Sequence, residues 1–128
     1  MKTFADLVAG RVARHVIYED PEHLAVLAPS PVKPGHTLVI TKRAHAYVFD
    51  LSDAEHAALW RVARLVARHI RSTLPCERVC IAVVGWEVRH VHVHLVPTDR
   101  SGEFPPLPGA PADESELSAI RKRLAMIS

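Results

Sequence analysis

Residues 85–97 read Gly-Trp-Glu-Val-Arg-His-Val-His-Val-His-Leu-Val-Pro, and their core alternates histidine with aliphatic side chains. Alternation of period two in β-branched company predicts a β-strand, whose successive side chains point to opposite faces. His90, His92 and His94 are therefore expected on one face, in steps of about 6.6 Å. Val91, Val93 and Leu95 take the other face, which suits packing against a helix. Pro97 lacks a ladder donor and is expected at the strand's end or at an edge.

Three imidazoles in a row admit three readings. Two histidines at i and i+2 on a strand can chelate zinc or iron. A core strand can also simply hold histidines, but burying three in register is costly unless each finds a partner. The third reading is catalytic. Neutral imidazole, with a pKa of about 6.5, is an uncharged nucleophile at neutral pH and can approach a phosphorus centre ringed by negative oxygens. One ring can attack while its neighbours hydrogen-bond to those oxygens, which needs no metal. No Asp or Glu lies on the histidine-bearing face to complete a mixed ligand set, so a metal or other cofactor is not expected.

The rest of the chain frames this strand. A length of 128 residues suits one domain with a real core, and 48% hydrophobic with 23% charged residues is the composition of a globular protein. A net charge of +2 does not argue for nucleic acid, though it is compatible with a small anionic substrate. No apolar run approaches the roughly 20 residues of a membrane span, and Asp6 and Arg11 interrupt any signal-peptide core, so a cytoplasmic protein is expected. Cys76 and Cys80, without a second pair, make a poor zinc site and read as small buried hydrophobes.

Residues 4–13 predict a short amphipathic helix, with Thr3 as its N-cap and Phe4, Leu7 and Val8 on one side. Residues 16–20 and 23–28 predict strands turned at Asp20-Pro21, and Thr37 to Thr41 a third, giving an antiparallel meander. Ser52-x-x-Glu55 is a capping box that opens the clearest helix. Leu59, Val62, Ala63, Val66, Ala67 and Ile70 form its apolar stripe, and Pro75 stops it. Arg61, Arg64, Arg68 and Arg71 line another face, read as solvated. Residues 79–84 predict a strand that is a hairpin neighbour of the histidine strand across Gly85-Trp86. Residues 101–111, with four prolines and two glycines, read as a loop. Asp113-x-x-Glu116 then caps a last helix bearing Leu117, Ile120 and Leu124. The expected fold class is α+β: an antiparallel sheet of about five strands, one long crossing helix and terminal helices.

The run from His90 to Val96 resembles the His-φ-His-φ-His-φ-φ motif of the histidine triad (HIT) superfamily of nucleotidyl hydrolases and transferases, where φ is apolar. Pro34-Gly35-His36-Thr37-Leu38-Val39-Ile40, followed by Lys42 and His45, resembles the family's upstream segment. The resemblance implies a HIT-like fold and a homodimer whose sheets join edge to edge. It implies that His92 attacks the α-phosphorus of a nucleotide-type substrate, forming a covalent nucleotidyl-histidine that water hydrolyses. His90 would accept the Nδ1 proton of His92 on its backbone carbonyl, His94 would contact phosphate and assist the leaving group, and His36 would complete the set. Gly35 would let the backbone approach there, and Trp86, Glu87 and Val88 would line the substrate site.

Two departures from the family pattern stand out. The chain contains no asparagine and no glutamine, and Trp86 stands where a phosphate-contacting Gln is usual. Ala28 stands where an Asp or Asn commonly binds the ribose hydroxyls, which a methyl group cannot do. The alternatives to a hydrolase are a nucleotide-binding regulatory protein with weak or lost catalysis, and a metalloenzyme using the triad as ligands.

Overall fold

A computed structural model describes residues 4–10, 14–104 and 109–126. Its centre is one five-stranded antiparallel sheet: β1 (Val16–Glu19), β2 (His23–Leu27), β3 (Thr37–Thr41), β4 (Arg78–Ala82) and β5 (His92–Thr98), in the order β1-β2-β3-β5-β4. Helix α1 covers Phe4–Ala9, α2 Asp53–Thr73 and α3 Glu114–Leu124. The α+β architecture with a long crossing helix between β3 and β4 is the one expected.

The two faces of the sheet have different cover. Ala25, Val39, Val93 and Leu95 face the stripe of α2, where Leu59, Val62, Val66 and Ile70 are buried. Each such aliphatic side chain contributes about 1.5–3 kcal/mol on leaving water. Leu24, Val26, Ala28, Leu38 and Ile40 face the other way, against Phe4, Leu7 and Val8. Because α1 has only six residues, it shields this face in part and leaves an opening beside it. Thr3, the expected N-cap of α1, and residues 11–13 of the expected longer helix lie outside the described residues. Within them, the helix gives way at Gly10, whose φ of 74° ends it.

The capping box of α2 is complete. Ser52 Oγ accepts the Glu55 N–H at 3.1 Å and Glu55 Oε1 accepts the Ser52 N–H at 3.0 Å. The four arginines of this helix are exposed, and Leu74 ends it ahead of Pro75. Asp113 caps α3 by accepting the Glu116 N–H.

Three sequence readings need correction. The strand holding the triad begins at His92, so His90 precedes it, and β4 is joined to it by the irregular residues 83–91 rather than by a two-residue turn. The pairing explains this: β3 faces β5 from Ile40↔His92 to Thr37↔Leu95 and has no residue to offer His90. Pro97, by contrast, is the penultimate residue of β5, at the strand's end and on the edge left open where β5 has outrun β3 and pairs with β4 alone, as expected. Cys76 and Cys80 are half-buried rather than buried, Cys80 Sγ lying 3.4 Å from Thr98 Oγ1.

Candidate active site

His92 and His94 leave β5 on the face shared with Leu38 and Ile40, their register partners on β3. Their rings stand edge to face with centroids 4.8 Å apart, and the Phe4 ring meets that of His92 at 4.8 Å and that of His90 at 5.7 Å. The rings of His90 and His92 therefore still share the Phe4 side, although His90 lies outside the strand. His36 arrives from the residue before β3, and its Nε2 lies 3.0 Å from His94 Nδ1. All four expected catalytic histidines are thus brought together.

The hydrogen bonds fix where the protons sit. The Val32 N–H donates to His36 Nδ1 at 3.0 Å, so the neutral His36 ring carries its proton on Nε2 and donates it to His94 Nδ1. The proton of His94 is consequently on Nε2. His92 Nδ1 lies 2.8 Å from the carbonyl oxygen of His90, which can only accept, so His92 is protonated at Nδ1 and its Nε2 keeps a lone pair. His90 Nε2 in turn donates to the Thr41 carbonyl at 2.6 Å. Of the six ring nitrogens of His36, His92 and His94, the two without a protein partner are His92 Nε2 and His94 Nε2, a bare lone pair and an N–H donor on neighbouring rings.

Burial keeps these rings uncharged. It pulls His36 and His94 down to about 4, with the charge on His92 as a further cause, and lowers His92 as well against the opposing effect of its bond to the His90 carbonyl. At neutral pH the site presents neutral imidazoles.

A cleft of about 370 Å³ opens over His36, His92 and His94, within the size range of small-molecule sites. Phe4, Ala28 and Leu38 give it an apolar wall, and Trp86, Glu87 and Val88 flank it as expected. Trp86 is 77% exposed, a large aromatic surface held at the mouth rather than packed. Gly35 does not line the cleft. With φ at 95°, it is buried against Leu74 and Pro97 and borders a separate cavity behind His36. Its lack of a side chain serves close packing, not approach to a ligand. Ala28 does reach the cleft and is buried there, with Ser30 the nearest hydroxyl-bearing neighbour in the chain.

Sequence reasoning missed Phe4, the Val32 amide and the Thr41 carbonyl. Backbone groups carry no residue-type signal, and Phe4 is brought in by a helix remote in sequence. Among the described residues no group of three or more His, Cys, Asp or Glu side chains is placed to hold a metal ion.

The comparisons with known proteins agree with this geometry. The family model described as HIT domain matches residues 9–101. An uncharacterized HIT-like protein of Mycoplasma genitalium is 34% identical over 106 residues, spanning 78% of this chain and 74% of that protein. A nitrilase and fragile histidine triad fusion protein of Caenorhabditis elegans is 34% identical over 97 residues, 72% of this chain but only 22% of that longer protein. Among solved structures, a zinc-bound histidine triad family protein from Mycobacterium smegmatis superposes with a TM-score of 0.77 at 30% identity, covering 94% of this chain and 91% of that one. With its two histidine motifs converging on one cleft and the family model covering most of its length, the chain belongs to the HIT family.

Proposed function

We propose that the protein is a metal-independent nucleotidyl hydrolase that cleaves the α-phosphate bond of a nucleoside phosphoramidate or a dinucleoside polyphosphate through a covalent nucleotidyl-histidine. The observation that carries this reading is the 2.8 Å bond from His92 Nδ1 to the His90 carbonyl, which leaves Nε2 as a neutral lone pair beside the cleft. His92 Nε2 attacks the α-phosphorus, and the bond from phosphorus to the leaving nitrogen or oxygen breaks with its electron pair on the leaving atom. That atom accepts a hydrogen bond from His94 Nε2 and takes a proton from solvent as it departs, while the His92 ring, now bonded to phosphorus, becomes cationic. Water then attacks the phosphorus, the bond to His92 breaks with its electron pair on Nε2, and the proton lost by water goes to solvent, returning His92 to its neutral form.

The apolar wall of Phe4, Ala28 and Leu38 suits a nucleobase, and the neutral N–H donors suit phosphate oxygens. The free edge of β4, with Ile81 and Val84 exposed, supports the homodimer that the resemblance implies. Among the described residues no helix is long and apolar enough to cross a membrane, and a cytoplasmic enzyme acting on a small molecule is the reading put forward.

The test is release of AMP from adenosine 5′-phosphoramidate in excess EDTA, with the His92→Ala variant alongside. Turnover by the wild type and none by the variant is the expected result. Undiminished turnover in the variant, or turnover abolished by EDTA, overturns the mechanism. The buried Ala28 methyl at the cleft favours one second reading, a nucleotide-binding protein with weak catalysis, which predicts AMP affinity without turnover.

A further inference from the structure

We infer that His45 and Glu55 are positioning residues for His92, gripping the backbone just ahead of β5 from the N-terminus of α2. The inference rests on the catalytic reading given above and concerns how the nucleophile is aimed.

The His90 carbonyl sets the tautomer of His92, yet the sheet does not hold it, because the β3–β5 ladder ends at Ile40↔His92. What holds it is Thr41, the last residue of β3, together with the segment that follows. The Thr41 carbonyl accepts from the His90 ring at 2.6 Å, and the His45 carbonyl accepts the Val91 N–H at 2.8 Å. The chain is therefore clasped at the His90 ring and at the Val91 N–H, which belongs to the same peptide unit as the oriented carbonyl.

Beyond Thr41 the clasp leaves the sheet and needs an anchor. Thr41 Oγ1 closes a tight turn on the Arg43 carbonyl at 2.9 Å, and Lys42 N–H bonds to the Glu22 carbonyl at 2.8 Å. His45, next along, is tied by its ring: Nε2 lies 2.8 Å from Glu55 Oε2. Glu55 is itself fixed twice by the capping box, its Oε1 on the Ser52 N–H and its own N–H on Ser52 Oγ. One carboxylate thus closes the start of a 21-residue helix with one oxygen and holds the clasp with the other. Glu55, His45, Val91, the His90 carbonyl and His92 Nδ1 form a continuous path from a rigid helix to the attacking ring. Neither His45 nor Glu55 lines the triad cleft, so both act through the backbone and not on substrate.

The test uses the full chain with four substitutions: His45→Ala, Glu55→Ala, Glu55→Gln and Arg43→Ala. His45→Ala leaves the capping box intact, and Arg43→Ala removes the guanidinium 3.6 Å from Glu55 Oε2 without touching the backbone bonds of the clasp. Two quantities are read: the ¹⁵N chemical shifts of the His92 ring nitrogens, and kcat and KM for AMP release from adenosine 5′-phosphoramidate. The wild type is expected to show one protonated and one bare His92 nitrogen. In His45→Ala and Glu55→Ala the two shifts converge, and kcat falls roughly tenfold while KM stays within about twofold. Glu55→Gln, which keeps an acceptor for His45, retains most of the rate, and Arg43→Ala retains all of it. Wild-type His92 shifts in both alanine variants, with the amide spectrum otherwise preserved, overturn the inference. If the wild type itself shows no turnover, it is the hydrolase reading that fails, and the ring shifts alone decide the positioning role.

Discussion

His36 Nε2 and His94 Nδ1 lie 3.0 Å apart across 58 residues of sequence, and the bond between them sets which nitrogen of His94 faces the substrate. The Val32 amide forces the His36 proton onto Nε2, His36 forces the His94 proton onto Nε2, and the result is a donor aimed into the cleft.

Removing His36 disconnects that donor. In His36→Ala, His94 can take either neutral tautomer, and kcat for the phosphoramidate is expected to fall by roughly one to two orders of magnitude. The loss should be much smaller for the p-nitrophenyl ester of AMP, whose leaving group needs no proton. Equal losses on the two substrates would assign His36 to packing instead of to orienting the donor at the leaving atom.

The depressed histidines predict the acid limb of activity and of stability. His36 and His94 are held at about 4 and His92 is shifted in the same direction, so kcat is expected to hold from pH 8 down to the ordinary histidine value of about 6.5 and to fall at lower pH. The unfolded chain takes up the protons of His36 and His94 from about pH 6.5 downward while the native state refuses them until about 4. Stability is therefore complete above that window and is lost as pH drops through it, which urea unfolding at pH 7.5 and pH 5 measures directly. A midpoint that rises on acidification contradicts the assignment.

Ala28 predicts weak hold on the sugar. Ala28→Asn restores an acceptor at the cleft and should tighten AMP binding by about 1 kcal/mol, close to fivefold in Kd. Calorimetry showing unchanged or weaker binding would place the ribose against another group, with the Ser30 hydroxyl next to be tested.

Gly35 predicts stability rather than binding. An alanine there adopts φ 95° and sets its Cβ 2.5 Å from Leu74 Cδ1 and 3.2 Å from Pro97 Cγ. Gly35→Ala is expected to cost about 1–3 kcal/mol in urea unfolding, with any change in kcat following from displacement of His36. A fully stable variant would show that residues 33–36 can reseat without strain.

Much of this arrangement is written in local sequence, for identifiable reasons. The alternation of Val91, Val93 and Leu95 with histidine encodes which face meets α2, and Ser52 with Glu55 encodes where that helix begins, because both depend on neighbours within a few residues. The placement of His90 is not encoded this way. Alternation runs through it unchanged, yet the strand starts at His92 because β3 ends, which is a property of another part of the chain. The pairing of Leu38 with His94, which brings His36 within reach, is likewise a fact of register and not of composition. The sequence marks Gly35 as a point of close backbone approach because glycine permits close contact of any kind, and the packing of Leu74 and Pro97 against it is one such contact, made by residues remote in sequence.

The irregular connection over residues 83–91 carries Trp86, Glu87 and Val88, whereas His92 and His94 are carried by β5 between two neighbours. On the hydrolase reading proposed above, the mouth of the cleft and the reacting rings are therefore built on separate parts of the backbone, one an irregular connection, the other locked in a ladder. A scaffold divided in this way can be retuned to new leaving groups by exchanging one surface connection, with the reacting rings left undisturbed.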